Sequence, residues 1–319
     1  MTDRPHVLVT GGAGFIGSFV VDLLLERDDR VSVLDKLTYA GARENLTRHE
    51  GEDRFRFVQG DVCDPSRVEP LVGAADRVIH AAAESFVDRS IADARVFVET
   101  NVLGTHVVLE ACRRTGTPLL FVSTDEVYGS RTDGRFAEDD ALRPNSPYAA
   151  SKAGADLLCR AYHVTYGLEI TVVRGTNAYG PRQHPEKAIP TFTLAALEGR
   201  PVPVYGDGSN RREWLFVRDF AAAVLSVLED GEPGHVYNIG GGFENSVSIL
   251  EAFAKVASLT GHKMIWEYAD QARIGDHICY YSDLSKMKDH YPNWGITRSL
   301  DDTLAEIVDR WKSHTATSR

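Results

Sequence analysis

The stretch 121–129 reads FVSTDEVYG and sets two carboxylates, Asp125 and Glu126, side by side after the apolar run LLFVS. Like charges repel, and the end of a buried strand disfavours both, so such a pair can be pushed into opposite protonation states. One acid beside one base suits chemistry in which a proton is removed and another delivered. The plainer alternative is a hydrogen-bonded start to a loop. Further along, SPYAASKAG puts Tyr148 and Lys152 four residues apart, on one face of a helix. A nearby ammonium favours phenolate. A phenolate beside a nicotinamide can take the proton of a substrate hydroxyl while hydride leaves its carbon. The Thr124 hydroxyl can bridge Tyr148 and a substrate oxygen. Taken alone, a Tyr–Lys pair is better read as a solvated helix face. It gains meaning only from what stands upstream.

Upstream stands VLVTGGAGFIGS, in which Gly11, Gly14 and Gly17 are spaced GxxGxxG between a strand pattern and a helix pattern. Such glycines allow a tight turn and let backbone N–H groups approach a pyrophosphate at the helix N-terminus. Asp35 ends the next strand pattern. Its carboxylate can accept from an adenosine ribose diol and would repel a 2′-phosphate, which favours NAD over NADP. Lys36 beside it pulls the other way, since a cation there can pair with a phosphate. GDVCD (60–64) brings Asp61 toward an adenine.

These residues need elements to position them. Short β-branched runs at 6–10, 31–35, 55–61, 77–82, 119–123, 168–174 and 235–241 alternate with helical patterns. The segment 96–114 predicts one long buried helix, and others are expected near 148–166, 189–200, 216–230, 247–260 and 299–313. Strands alternating with helices predict an α/β, Rossmann-type, doubly wound parallel sheet with right-handed crossovers. A smaller substrate lobe is expected from the C-terminal part. The expected division is 1–175 for the NAD-binding core, with 204–242 returning to it, and 176–203 plus 243–319 for the lobe. The cleft between them is the expected site.

Composition narrows the function classes. The 319 residues are 43% hydrophobic, enough for a large core, and carry 35 basic against 46 acidic side chains, a net charge of -11. So acidic a chain has no electrostatic reason to seek nucleic acid or an anionic membrane. Cys63, Cys112, Cys159 and Cys279 are scattered without a CxxC pair, so no metal centre is expected and the thiols read as reduced. MTDRPHVLVTGG runs straight into a strand without a signal-peptide core, and no apolar run is long enough to span a membrane. A cytoplasmic protein is expected.

GGAGFIG, YAASK and their order resemble the extended short-chain dehydrogenase/reductases that act on nucleotide sugars. DKLTYAGARENL (35–46), AAESFVDRSI (82–91), ETNVLGT (99–105), STDEVYGS (123–130), PNSPYAASKAG (144–154), YGPRQHPEKAIP (179–190) and VYGDGSNRREWLFV (204–217) are similar to the dTDP-glucose 4,6-dehydratase family in particular. The resemblance implies oxidation at C4 of a nucleotide-diphosphate hexose, loss of water across C5 and C6, and return of hydride to C6, all on one bound NAD. It implies catalytic roles for Thr124, Asp125, Glu126, Tyr148 and Lys152, with Glu126 the C5 base and Asp125 the C6 acid. Phe15, Ile16, Thr38, Val62, Ala81 and Ala83 would join the cofactor contacts. Ser85, Asn177, Glu186, Lys187, Arg212 and Asn238 would join the acid pair around the substrate, with the planar fork of Arg212 suited to phosphate. A homodimer built on the 96–114 and 148–166 helices is also implied.

Some residues depart from the family pattern. Phe86 replaces a histidine, Ala178 an amide residue and Glu213 an aspartate, and the run 273–296 differs. These departures are expected to face the substrate. They leave a 4-epimerase, a UDP-glucuronate decarboxylase and an NAD-binding regulator as alternatives. A base at position 126 speaks against an epimerase, and the intact Tyr148–Lys152 couple against a pure binder.

Overall fold

A computed structural model describes residues 4–131, 134–269 and 281–317, with the side chains of 314–317 excluded. Seven parallel strands form the central sheet: β1 (His6–Thr10), β2 (Arg30–Asp35), β3 (Phe55–Gln59), β4 (Arg77–His80), β5 (Leu119–Thr124), β6 (Ile170–Gly175) and, after three strands described below, β10 (Val236–Ile239). Their order is β10-β6-β5-β4-β1-β2-β3. The direction of winding reverses between β1 and β4, so the loops that follow those strands splay apart and open a crevice at the strand ends. The Gly-rich turn follows β1, and Thr124 and the acid pair follow β5, so both reach that edge.

Helices cover both faces. On one lie α1 (Phe15–Glu26) and, later in the chain, α8 (Val217–Asp230), packed on each other; on the other lie α2 (Pro65–Gly73), α5 (Gly104–Thr115) and α6 (Pro147–Tyr166). Two short helices, α3 (Val87–Ala92) and α4 (Arg95–Phe97), lead into α5. The expected single helix over 96–114 is instead three windings, because a wide π-type turn (Val98–Leu103) joins α4 to α5. The buried Asn101 lies in that turn. Its amide donates to the Glu84 carbonyl (3.0 Å) and the Ser151 hydroxyl (2.8 Å) and accepts from the Glu84 N–H (2.9 Å), tying it to the loop after β4 and to α6. Nor is this segment wholly buried: Val98 and Leu103 are about half exposed.

The remainder builds the wall opposite the cofactor turn. Helix α7 (Ala188–Glu198) lies between β7 (Asn177–Tyr179) and β8 (Pro201–Val204), and β9 (Arg211–Phe216) precedes α8. Strand β9 pairs in parallel with β7 and antiparallel with β11 (Ser246–Ser248), and β12 (Ile265–Tyr268) pairs with β8. Helices α9 (Ile249–Thr260), α10 (Ser285–His290) and α11 (Leu300–Thr317) complete the chain. These short strands are absent from the sequence-based expectation. The chain also rejoins the central sheet later than residue 204, since β9 pairs outside it and the return starts with α8. Among the described residues no helix is long and apolar enough to cross a membrane. Cys63, Cys112 and Cys159 are free thiols, and Cys279 lies outside the described residues.

Candidate active site

The cofactor end is made mainly of backbone. Gly11 has φ +72°, and a Cβ there would stand 2.6 Å from the Ala82 nitrogen. A Cβ on Gly17 would overlap the Gly11 carbonyl, so the helix can start this close to the strand only without side chains. Gly14 is the N-cap of α1 and supplies no side-chain cap, which leaves the first N–H groups of the helix facing the crevice. Phe15 and Ile16 form the half-buried first turn; Ala81 and Ala83 flank the turn from the loop after β4. Asp35 lies beneath, buried, accepting from Ala13 N (3.0 Å) and Leu37 N (2.8 Å); burial raises its pKa and the two amides oppose that. A cradle that any Cβ would fill, with a carboxylate at the end of the next strand, fits an adenine dinucleotide.

Lys36 is not poised for a 2′-phosphate. Its ammonium pairs with Asp61 at 2.6 Å. Burial works against the Asp61 carboxylate, but Lys36 and the Cys63 N–H hold its pKa below the usual range. Thr38 is exposed and hydrogen-bonds Glu84, and Val62 is buried against Gly104.

The catalytic candidates meet at the end of β5. Thr124 caps a short 3-10 turn: its hydroxyl accepts from Glu126 N (3.3 Å) and donates to Asp125 Oδ1 (3.0 Å). Asp125 is buried and Glu126 half-buried. Helix α6 starts just beside them, with Ser146 accepting from Ala149 N (3.1 Å) and Pro147 in its first turn. Tyr148 and Lys152 therefore occupy successive turns and are both buried. Tyr148 is hydrogen-bonded with Thr124.

The electrostatics differ from the simple Tyr–Lys picture. Burial first, and then the Glu126 carboxylate, push the phenol well above its usual pKa; the Thr124 hydrogen bond only partly opposes them. Lys152 does not counter this, because its ammonium donates to the Val122 carbonyl (2.7 Å) and lies 4.2 Å above the Phe121 ring. Burial brings Lys152 itself down to about 8.

A cleft of about 370 Å³ opens over the acid pair. Ser85, Asp125, Glu126, Asn177, Glu186, Lys187 and Arg212 all line it. Asn238 does not: it is buried behind the site, where its Oδ1 accepts from Tyr128 (2.8 Å) and its amide donates to the Phe136 carbonyl (3.0 Å). Its burial, not a lack of hydrogen-bonding capacity, keeps it from the cleft. Glu213 is likewise turned inward, fully buried, accepting from Gly242 N (2.5 Å) and Ser282 N (2.9 Å), and burial pushes it up to about 7. Ala178 is buried as well, so of these three departures only Phe86 faces the cleft. The part of the 273–296 run up to residue 280 lies outside the described residues.

Several lining residues escaped the sequence reading. Phe192, Val202, Pro203, Tyr205 and Ile249 form an apolar side, and Trp214 shares the cleft face of β9 with Arg212. Behind the lining residue Ser85, Tyr39 meets its hydroxyl (3.3 Å between hydroxyls) and carries the Arg89 guanidinium 3.9 Å over its ring. Alternation of Arg212 and Trp214 along RREWLF was a usable signal for β9. Nothing local announced the others.

Known proteins are similar in sequence and fold. The model of the NAD dependent epimerase/dehydratase family matches residues 7–240. The low-salt glycan biosynthesis protein Agl12 of Haloferax volcanii is 48% identical over 95% of this chain and 97% of its own. A dTDP-glucose 4,6-dehydratase of Actinoplanes sp. is 50% identical over 94% and 96%. The crystal structure of DesIV, a dTDP-glucose 4,6-dehydratase from Streptomyces venezuelae with NAD bound, superposes with a TM-score of 0.92 at 42% identity, covering 98% of both chains. With a family model spanning the glycine turn, the acid pair and the Tyr–Lys helix alike, this chain belongs to the NAD dependent epimerase/dehydratase family.

Proposed function

We propose that this protein is an NAD-dependent nucleotide-sugar 4,6-dehydratase that converts dTDP-glucose to its 4-keto-6-deoxy product. The observation that carries this is the convergence of Asp125, Glu126 and, through Thr124, Tyr148 at one cleft. A 4-epimerase needs the tyrosine alone, whereas elimination also needs an acid and a base.

In this account bound NAD supplies a hydride acceptor and donor and, when oxidised, a cationic ring that favours phenolate nearby. Tyr148 takes the proton of the C4 hydroxyl, with Thr124 holding the oxygen in line. The C4 ketone makes the C5 proton acidic, and Glu126 removes it. Asp125 protonates the C6 hydroxyl, which leaves as water. Hydride then arrives at C6 while Glu126 returns its proton to C5. Lys152 keeps the Tyr148 helix in register with β5 through its bond to Val122. Arg212 and Lys187 supply the positive charge a diphosphate needs in an acidic protein, and Ser85, Asn177 and Glu186 contact the sugar.

The same reading gives a homodimer and a cytoplasmic setting. Val98 and Leu103, with Leu157, Val164 and Tyr166 of α6, are 49–68% exposed, an apolar surface suited to a second copy. The deciding experiment incubates purified protein with dTDP-glucose and other nucleotide sugars, without added cofactor. The alkaline ultraviolet band of a 4-keto-6-deoxy sugar is expected with dTDP-glucose. An inverted hexose without that band would overturn the dehydratase reading in favour of an epimerase.

A further inference from the structure

Arg182 lies three residues beyond β7 and is one of the few non-glycine residues with a left-handed backbone, φ +71°. L-residues disfavour that region, and such a conformation persists where the surroundings over-determine it. Here the side chain explains it. The guanidinium donates to the Ser18 hydroxyl (3.1 Å), pairs with Asp22 (2.9 Å) and lies 4.5 Å over the Phe19 ring. All three partners belong to α1, the helix that starts in the glycine turn. Asp22 is buried, so this contact is far better shielded from solvent than a surface ion pair.

Four residues further on, Glu186 and Lys187 line the cleft, with the Lys187 ammonium donating to the Ser85 carbonyl (3.2 Å). Between them and Arg182, Gln183 donates to the Ala178 carbonyl (2.9 Å), which keeps the segment folded back on β7. We infer that Arg182 is a positioning residue: by fastening the 180–187 segment to the cofactor helix, it sets where Glu186 and Lys187 stand in the substrate cleft. Nothing in the proposed chemistry uses it, and its guanidinium points away from the cleft into α1. The inference rests on that cleft being the nucleotide-sugar site.

The arrangement suits a clean test. Asp22 also receives His49 (2.8 Å) and Arg48, so loss of Arg182 does not strand a buried carboxylate. Glycine adopts φ +71° without strain, so Arg182→Gly removes the tether and leaves the backbone geometry open to it. Steady-state kinetics on dTDP-glucose, thermal midpoints and copurified NAD are compared for wild type, Arg182→Gly and Arg182→Lys. Expected for Arg182→Gly is a KM raised about tenfold, as for a binding group displaced from a distance, with kcat within about twofold and NAD content unchanged. Arg182→Lys, which keeps a cation for Asp22, should recover part of the KM. An unchanged KM in Arg182→Gly, or a fall in kcat and NAD content with KM intact, overturns the inference. If wild type does not turn over dTDP-glucose, the functional reading fails separately. Titration of dTDP-glucose into the same proteins then decides the point: binding about tenfold weaker in Arg182→Gly supports the tether, and equal binding refutes it.

Discussion

The two sides of the crevice are built by different means. The cofactor side centres on one contiguous stretch, residues 10–17, whose working parts are glycine backbone and helix N–H groups, backed by one carboxylate on the next strand and flanked by the loop after β4. The substrate side gathers side chains from segments scattered between Ser85 and Ile249. A backbone-built site has few ways to be half right, because a missing or extra Cβ changes whether the ligand can approach at all. A site built from side chains is divisible, and its members can fail one step at a time. Substitutions on the first side should act as all-or-none losses, and those on the second should be graded or specific to a step.

The largest effect is expected at Gly17. A methyl group there overlaps the Gly11 carbonyl, so wild type should carry NAD through purification and Gly17→Ala should be isolated without it. Cofactor content read from the absorbance of heat-released nucleotide checks this. Full NAD content in Gly17→Ala would show that the turn has slack that its geometry denies.

Tyr148→Phe should retain its fold and its NAD and lose turnover by about 10²- to 10⁴-fold, the usual range for a removed general base. A near-native rate would mean another group deprotonates the C4 hydroxyl. Smaller again is the effect of Asp35→Ala, which removes the acceptor beneath the ribose while leaving the turn intact. It should weaken NAD binding more than NADP binding, measured by titration of cofactor-stripped protein. Equal weakening would reduce Asp35 to the structural bonds with Ala13 and Leu37.

The smallest expected effect is on stability, and it concerns the floor shared by both sides. His80, at the end of β4, is fully buried between the hydroxyls of Thr10 (2.6 Å) and Thr105 (3.0 Å). Thr105 donates its proton to the Asn101 carbonyl, so the ring donates through Nε2, and in the neutral ring that burial favours Nδ1 is left to accept from Thr10. Burial, and then the Lys152 charge, bring its pKa from 6.5 down to about 3. The unfolded chain therefore binds this proton more readily than the folded one. The stability due to the neutral ring is complete above pH 6.5 and drains away between there and about 3. The slope contributed is at most about 1.4 kcal/mol per pH unit. Denaturant melts of wild type and His80→Gln across that window should differ in slope, and parallel curves would contradict the burial argument.

The same contrast explains what could be read from the amino-acid sequence. The glycine turn, Asp35 and the Tyr148–Lys152 spacing are local patterns, and the alternating strands that carry them are set by local periodicity. They were legible, as were all seven strands of the central sheet. The wall was harder. Strand β7, three residues long, leaves too short a pattern to detect, β8, PVPV, is masked by its prolines, and β9 offered only the alternation of Arg212 and Trp214. Phe192 and Ile249 are ordinary apolar helix residues until the fold brings them to the cleft. Asn238 and Glu213 show the reverse error: polar residues in a matching motif, placed by the fold into the interior. The partner of Lys152 was not legible either, since spacing puts two groups on one face of a helix but does not say which acceptor the ammonium meets, here the Val122 carbonyl.

Everything turns on whether the adjacent acids divide the elimination between them. Glu126→Gln and Asp125→Asn, each mixed with dTDP-glucose in deuterated solvent, test this in a single turnover. Both should reduce their bound NAD, because C4 oxidation needs neither acid, and both should then stall with little 4-keto-6-deoxy product. Exchange of the C5 proton separates them: it should persist in Asp125→Asn, where the base survives, and vanish in Glu126→Gln. Exchange that persists only in Glu126→Gln would exchange the two roles, and unimpaired elimination in both variants would contradict the account altogether.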